Sequence, residues 1–434
     1  MPLILGTNSI KDTGYNVDNS LRFNKGSSDY LNKTFGTSTS EGTWTYSVWI
    51  KISDPAFIDN HVFFSGGGAS DNRTQLYFGE TTGTLNIYRS ISGSTVNLES
   101  DASFRDPSAW YNLCVQNNAG TVAAYINGVA VTLDGSSLGT NVINKSDTVH
   151  KIGRGATGTY TSSYMSEIVF IDGTVVAPTS FGEFDEDSGI WKPIDVSGLT
   201  FGTNGFYLDF EDSANLGNDA NGGTDLTEVN LAATDQSTDT CTNNFATLNP
   251  LHSIGAASEL SQGNLEYDPS GHHRIISTIA PSSGKWYAEV KGIDNPDKFN
   301  AGVAHYPMPA NGSASSFAFG QGVNADVGRF ANDFGVKANG QYGNDNSYAN
   351  YMASLEGENN NIVGIYMDLD NYKLYFSKNG SLVSSTGKDL TNNGYPYGFI
   401  SVGEAATFQW NFGNPSFAIS SGNTDGEYGN FEYS

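Results

Sequence analysis

Strict alternation of apolar and polar side chains in short segments most constrains how this chain folds. Between residues 44 and 52, one face of an extended segment carries Trp44, Tyr46, Val48, Ile50 and Ile52, and the other carries Thr45, Ser47 and Lys51. A period of two is typical of a half-buried antiparallel β-strand. Similar runs bounded by Gly, Asn, Asp or Ser predict further strands at Gln75 to Phe78, Thr84 to Ser90, Trp110 to Gln116, Thr121 to Ile126 and Ser166 to Ile171.

The same alternation returns in the C-terminal half. Shared faces are formed by Trp286, Ala288 and Val290, by Val363, Ile365, Met367 and Leu369, and by Phe408, Trp410 and Phe412. Asn127-Gly128 and Asn379-Gly380 predict tight hairpins, because a type I′ turn needs positive φ at both central residues. With 51 glycines, only 15% charged residues and no capped helical period, the sequence predicts an all-β protein of two antiparallel jelly-roll β-sandwiches.

The first half resembles a concanavalin A-like sandwich of the laminin-G type. The residues that carry the resemblance are Ser20 to Phe23, Trp44 to Ile50, Trp110 to Val115, Ala123 to Gly128, Ile152 to Arg154 and Glu167 to Gly173. The second half is similar to SPRY-like domains. Its matching residues are Gly284 to Val290, Gly364 to Asp370, Lys373 to Gly380 and Trp410 to Gly413.

The order of these parts resembles a family of tailed-bacteriophage virion proteins, many of them marine. Two bridging motifs contribute to this resemblance, Gly205 to Phe210 and Thr242 to Leu251. The resemblance implies a structural or host-contacting role on the particle, such as a tail fibre, a tail appendage or a capsid decoration.

Changes in composition suggest where the parts begin and end. We predict an N-terminal arm at residues 1–18, the concanavalin A-like sandwich at 19–183 and the SPRY-like sandwich at 262–434. Residues 184–261 are rich in Asp, Asn, Gly and Thr and are predicted as a partly ordered connector, with some strand content that either links the domains or completes the first sandwich.

The charge balance limits the partners. There are 46 Asp and Glu against 21 Lys and Arg, a formal net charge of −25, which disfavours nucleic acid because phosphate contacts need clustered cations. No apolar run approaches the roughly 20 residues of a membrane span, and no secretion signal is evident. Cys114 is expected to be a buried thiol and Cys241 a loop thiol, without a disulfide.

Exposed tyrosines on loops are the candidate ligand-binding residues. Aromatic rings with amide and carboxylate groups at the rim suit sugars, and residues 341–351 supply Tyr342, Tyr348 and Tyr351. Tyr160 and Tyr164 are a second pair. A calcium loop is the one cofactor considered, because residues 217–228 place Asp219, Asn221, Asp225 and Glu228 at ligand-type positions, although Gly217 replaces the usual first Asp.

Three patterns with catalytic counterparts are interpreted as turns or loops. Glu183, Asp185 and Asp187 have the i, i+2, i+4 spacing of laminarinase-type hydrolases, but Ser188-Gly189 ends any strand there. Gly135 to Gly139 matches a nucleophile elbow, and Gly153, Gly155 and Gly158 match a dinucleotide fingerprint, yet neither precedes a predicted helix. The six histidines have no zinc-type spacing. No catalytic residue is therefore predicted.

The expected function is that of a non-enzymatic virion component that contacts host surface glycans. Its expected partners are other virion proteins, bound through the arm or the first sandwich, and further copies of itself on the particle. The expected location is the virion, after synthesis in the host cytoplasm. Two alternatives stay open, namely a capsid decoration protein without a host ligand and a polysaccharide-degrading glycoside hydrolase using Glu183 with Asp185 or Asp187.

Overall fold

The computed structural model describes ten stretches of the chain: residues 14–54, 59–68, 71–253, 259–271, 273–306, 327–329, 333–403, 405–420, 423–425 and 429–433. The described residues form two compact units, with the boundary between Asn244 and Phe245. Residues 1–13 of the arm predicted at 1–18 lie outside the described residues.

The first unit is built on two antiparallel sheets. The first sheet has the spatial order β10 (Val129–Ala130), β9 (Thr121–Ile126), β8 (Tyr111–Asn118), β3 (Thr43–Ile52), β12 (Ser163–Asp172), β1 (Ser20–Phe23) and β17 (Gln236–Ser237), with β15 (Phe206–Leu208) also paired to β12. The second has the order β16 (Thr227–Val229), β2 (Tyr30–Thr34), β11 (Val149–Ile152), β4 (His61–Gly67), β5 (Arg73–Phe78), β6 (Thr84–Ile91) and β7 (Ser94–Ser103). A small hairpin joins β13 (Gly182–Phe184) to β14 (Trp191–Pro193).

Aromatic side chains fill the space between these two sheets. Tyr46 of β3 stacks on Phe64 of β4, with ring centroids 4.6 Å apart, and Phe170 of β12 stacks on Phe206 of β15 at 5.7 Å. Fully burying one such ring stabilises the fold by roughly 1.5–3 kcal/mol. This arrangement confirms the predicted sandwich and the inward face of residues 44 to 52.

The opposite face of β3 differs from the prediction of a half-buried strand. Thr45, Ser47 and Lys51 are all at most 1% exposed, because residues 176–244 lie over the face of the sheet that points away from the core. Lys51 donates from Nζ to Asp239 Oδ2 and to Asn244 Oδ1, each at 2.7 Å, which compensates the buried charge. The range predicted as a connector therefore belongs to the first unit as far as Asn244 and completes its sheets.

The second unit repeats the architecture. One sheet has the order β18 (Leu248–Ser253), β21 (His273–Ser277), β31 (Tyr397–Gly403), β23 (Asn300–His305), β24 (Asp333–Lys337), β25 (Gln341–Asn344) and β26 (Ser347–Asn350). The other has the order β19 (Leu260–Ser261), β20 (Glu266–Tyr267), β32 (Thr407–Asn411), β22 (Lys285–Asp294), β27 (Ile362–Asp368), β28 (Lys373–Lys378) and β29 (Ser381–Leu382), with β30 (Lys388–Asp389) also paired to β28. A last hairpin pairs β33 (Asn423–Asp425) with β34 (Gly429–Phe431).

Helical structure among the described residues is limited to short 3₁₀ turns. They are Pro178–Ser180, Ala233–Asp235, Gln262–Asn264 and Pro296–Lys298. Within that part of the chain no helix has the length and apolar character that crossing a membrane requires.

Both predicted Asn-Gly hairpins are confirmed. Asn127 and Gly128 have φ of 50° and 74°, and Asn379 and Gly380 have φ of 47° and 77°. Each pair links adjacent antiparallel strands through two residues, as a type I′ turn requires. Together the two units confirm the all-β prediction of two antiparallel β-sandwiches.

Candidate functional site

The predicted tyrosine segment forms the hairpin of β25 and β26. Tyr342 points into the second unit, with its ring 6.3 Å from Phe376 and 5.7 Å from Tyr351. Lys388 Nζ lies over both tyrosines, 4.9 Å from the Tyr342 centroid and 4.6 Å from the Tyr351 centroid. Burial raises the pKa of both phenols. The structure therefore brings Tyr342 and Tyr351 together.

Tyr348 lies on the opposite face of the same hairpin. It is directly across from Gly343, whereas Tyr342 is across from Ala349, and neighbouring residues of a strand point to opposite faces. Lys337 Nζ lies 4.5 Å from the Tyr348 ring centroid. The three predicted tyrosines consequently do not form one binding site.

A shallow surface depression of about 770 Å³ opens beside Tyr351, between the β26 end and the β28–β29 hairpin. Leu382 stands 53% exposed at its rim. The lining combines one aromatic ring, apolar side chains and amides: Asn350, Tyr351, Met352, Ala353, Lys378, Asn379, Ser381, Leu382 and Val383. We call this feature the Tyr351 depression. Sequence reasoning identified its Tyr351 and the Asn379-Gly380 turn but not their proximity.

The polar groups of the Tyr351 depression are partly held in place by neighbours. Lys378 Nζ donates to the Ser354 carbonyl at 2.8 Å and to Glu358 Oε2 at 3.1 Å. Asn379 Nδ2 donates to Asn361 Oδ1 at 2.8 Å. Asn350 and Ser381 are exposed. The depression therefore offers an aromatic ring, apolar side chains and exposed polar groups to a ligand.

The second predicted pair separates into one buried and one half-buried ring. Tyr164 is 0% exposed, with Lys51 Nζ 5.9 Å from its ring centroid and Trp110 at 6.5 Å. A ring without exposed surface cannot stack on a dissolved sugar, so Tyr164 is removed from the candidates. Tyr160 is half-buried, and the guanidinium carbon of Arg154 lies 5.2 Å from its ring centroid.

The carboxylates of the predicted calcium loop serve as turn acceptors. Asp219 Oδ1 accepts from the backbone N–H groups of Tyr207 and Asn221, and Asp225 Oδ1 accepts from the N–H of Asp219. Glu228 Oε1 accepts from the N–H of Gly217. Among the described residues no group of three or more His, Cys, Asp or Glu side chains is placed to hold a metal ion. This geometry gives the calcium prediction no support.

The acidic triplet lies at the end of β13 and in the turn that follows it. β13 ends at Phe184, and Asp185 Oδ1 accepts from the N–H groups of Asp187 and Ser188. Lys192 Nζ lies 3.4 Å from Glu183 Oε1 and 3.4 Å from Asp185 Oδ2. Both carboxyl groups of the considered acid–nucleophile pair are therefore engaged by the same ammonium group.

The two glycine motifs form turns, as interpreted from the sequence. Residues 135–139 run beside β9, where the Val122 N–H donates to the Ser136 carbonyl. The segment from Gly153 to Gly158 closes on itself, because the Gly155 N–H donates to the Thr159 carbonyl and the Gly158 N–H donates to the Gly155 carbonyl. No helix follows either motif.

One buried acid that the sequence did not single out is held in a strained conformation. Glu167 has φ of 49°, at an irregularity of β12, and is 5% exposed. Its carboxylate accepts from Tyr207 Oη at 2.9 Å and from Tyr15 Oη at 3.0 Å. Burial raises the pKa of Glu167 to about 7. The group thereby links the segment around Tyr15 to β12.

Both cysteines are free thiols, as predicted. Cys114 is fully buried beside Val169 and Ile171, and burial raises its pKa. Burial likewise raises the pKa of Cys241. Neither thiol is activated as a nucleophile, because activation requires a lowered pKa.

Comparison with known proteins supports the fold. The family model of the concanavalin A-like lectin and glucanase superfamily matches residues 25–177. The first sandwich is therefore concanavalin A-like. No curated protein sequence matches the chain.

Similar solved structures include a pentraxin, a SPRY domain and a candidate carbohydrate-binding protein. A heptameric SAP-like pentraxin from Limulus polyphemus shares 16% identity, with 37% of this chain and 78% of that chain covered and a TM-score of 0.29. The SPRY domain of human HERC1 shares 10% identity, with 38% and 96% covered and a TM-score of 0.28. A candidate carbohydrate-binding protein from Bacteroides ovatus shares 16% identity, with 49% and 58% covered and a TM-score of 0.36.

Proposed function

We propose that this chain is a non-catalytic glycan-binding protein whose sugar contact is the Tyr351 depression. The proposal rests on one observation. The Tyr351 depression combines the Tyr351 ring, the exposed Leu382 and the exposed amide of Asn350. Sugars present apolar ring faces and hydroxyl groups, and this lining complements both. The lectin-type fold of the first sandwich is consistent with the same class of function.

A binding function is favoured over hydrolysis by the position of the acidic groups. The only carboxylates that the sequence offered as a catalytic set are held by Lys192 and by the turn at Ser188. The glycoside hydrolase alternative would require Glu183 and Asp185 to be released from Lys192 before they could act on a sugar.

We further propose that the chain is a virion component of a tailed bacteriophage, as a tail fibre or appendage. This part rests on the resemblance in domain order. Several copies on a symmetric particle would turn weak single-site sugar binding into firm attachment, since linked sites bind with a high effective concentration. A decoration protein without a host ligand is the alternative, and it predicts no sugar binding by the isolated chain.

A glycan array followed by calorimetry on the best ligand tests the sugar site. Leu382→Ser is expected to weaken binding by about five- to tenfold, because an apolar contact worth roughly 1 kcal/mol is lost. Leu251→Ser is the matched control, since Leu251 and Leu382 are 55% and 53% exposed. Tyr351→Ala should weaken binding further, with near-ultraviolet circular dichroism as the check on folding.

Two results would contradict the proposal. The first is the absence of any glycan bound by the wild-type chain. The second is equal weakening by Leu382→Ser and Leu251→Ser, which would place the contact elsewhere.

A further inference from the structure

Arg154 is presented at the surface of the first unit without the partners that an arginine normally has. Its guanidinium carbon lies 4.9 Å from the ring centroid of Tyr30 and 5.2 Å from that of Tyr160, and the two rings are 6.1 Å apart. Its Nε is buried and has no hydrogen-bond partner among the described residues. A guanidinium has five N–H donors, and a buried donor left unpaired costs about 1–3 kcal/mol.

A second cation lies on the same side of the sheet. Lys151 of β11 is opposite Asn32 of β2, and Tyr30 is two residues before Asn32, so the three side chains share one face. The pKa of Lys151 is lowered first by burial and then by the positive charge of Arg154. Lys151 and Arg154 are also only three residues apart in the chain, so two positive charges are presented on this side of the sheet.

Neither cation has an acidic partner within ion-pair distance in the described part of the chain, although the protein carries 46 acidic against 21 basic residues. Several other cations of the same unit do have an acidic partner, as in the pairs Lys33–Asp219, Lys51–Asp239 and Lys192–Asp185. Two adjacent cations without a counter-charge in so acidic a chain mark a place that favours an external anion.

The glycine motif at residues 153–158 determines the position of the Arg154 guanidinium. Gly153 has φ of 80°, and a side chain there would meet the Phe23 ring at 2.5 Å. The turn that follows is closed by a bridge between Arg154 and Tyr160, which fixes the two residues beside each other. The repeated glycines thus form a compact turn that places the Arg154 guanidinium between its own Tyr160 and Tyr30 of β2.

We propose that Arg154 and Lys151, beside Tyr30 and Tyr160, form a binding site for an acidic saccharide. The carboxylate or sulfate group of the sugar pairs with the guanidinium, whose planar fork matches an oxyanion, and the sugar ring contacts a tyrosine edge. The inference rests on the proposed function in taking the ligand to be a saccharide. It concerns a site separate from the Tyr351 depression and a different ligand charge.

The test is ligand-observed NMR and calorimetry on the full chain with matched monosaccharides. Glucuronate and glucose 6-sulfate are expected to bind at least about tenfold more tightly than glucose. Arg154→Met, which keeps the apolar stem, should remove most of that difference, whereas Arg154→Lys should keep part of it, because the charge remains and the planar fork is lost. Lys285→Met is the control, since it removes one positive charge from a side chain that is 72% exposed in the other unit.

Three results would overturn the inference. They are glucose bound as tightly as the acidic sugars, acidic sugars bound equally by the Arg154→Met variant, and inorganic sulfate bound as tightly as glucose 6-sulfate. The last result would leave an oxyanion site that does not recognise a saccharide. Loss of neutral-glycan binding through Leu382→Ser, with acidic-sugar binding unchanged, would separate this site from the Tyr351 depression.

Discussion

Glu167 is a buried acid of the first unit whose raised pKa affects stability. Its folded-state pKa of about 7 lies above the ordinary value of 4.5 for a glutamic acid. The folded state therefore binds more protons than the unfolded state between these two values. The contribution of Glu167 to stability therefore falls as the pH rises through that interval, and it levels off above it. The loss amounts to about 3 kcal/mol for a shift of this size.

Glu167→Gln removes this titration and keeps an acceptor for Tyr207 and Tyr15. We expect the free energy of unfolding, from urea titration at about pH 5 and about pH 8, to fall less in the variant than in the wild type. Glu186→Gln is the matched control, because Glu186 is exposed on a loop. An identical pH dependence of the wild type and the Glu167→Gln variant would mean that this carboxyl group is not protonated in the folded protein at about pH 5.

The sequence identified candidate tyrosines but could not predict how exposed each one is. Tyr351 and Tyr160 are half-buried and keep some exposed surface, but Tyr164 is fully buried beside Lys51. Nothing in the local pattern around Tyr164 distinguishes these cases. The burial of Tyr164 depends on residues about 75 positions later in the chain, around Asp239, and a local period of two cannot report such a contact.

The individual strands and hairpins were more predictable from the sequence. The strand predicted at Thr121 to Ile126 has those bounds in the structure, and the one predicted at Thr84 to Ser90 ends one residue later. Two-residue hairpin turns without an Asn-Gly pair were not predicted. Ser92-Gly93 and Asp345-Asn346 both have two positive φ values between paired strands. Their signal is weaker because Ser and Asp at the first position also favour other turn types.

The β9–β10 hairpin shows how one turn residue connects distant parts of the chain. Gly128 has φ of 74°, and a Cβ there would lie 2.3 Å from the Trp191 ring, whereas Gly93 has φ of 77° and no atom within 4 Å of such a Cβ. Gly128→Ala should therefore destabilise the fold by about 1–3 kcal/mol more than Gly93→Ala. Only the Gly128 substitution adds a clash in a packed region. Urea unfolding of both variants measures the difference. Equal destabilisation would mean that Trp191 moves aside without cost.

For the whole molecule, the sequence predicted two sandwiches but not where the first one ends. Residues 184–244 are polar and turn-rich, and their strands have only two or three residues each. Propensity over such short strands is too weak to separate them from a linker. Their contribution is tertiary, since they neutralise Lys51 through Asp239 and cover the apolar side chains on the outer face of β3, β8 and β12.

The consequence is a sharp dependence of folding on where the chain is cut. A fragment of residues 1–183 would expose Trp49, Cys114, Tyr164, Val169 and Ile171. At roughly 2 kcal/mol for each buried side chain, the loss is about 10 kcal/mol, comparable to the whole stability of an ordinary domain. We therefore expect the 1–244 fragment to unfold cooperatively on heating. The 1–183 fragment should lack near-ultraviolet circular dichroism and bind a hydrophobic dye. A cooperative transition of the 1–183 fragment at the temperature found for 1–244 would show that residues 184–244 are dispensable, and would restore their assignment as a linker.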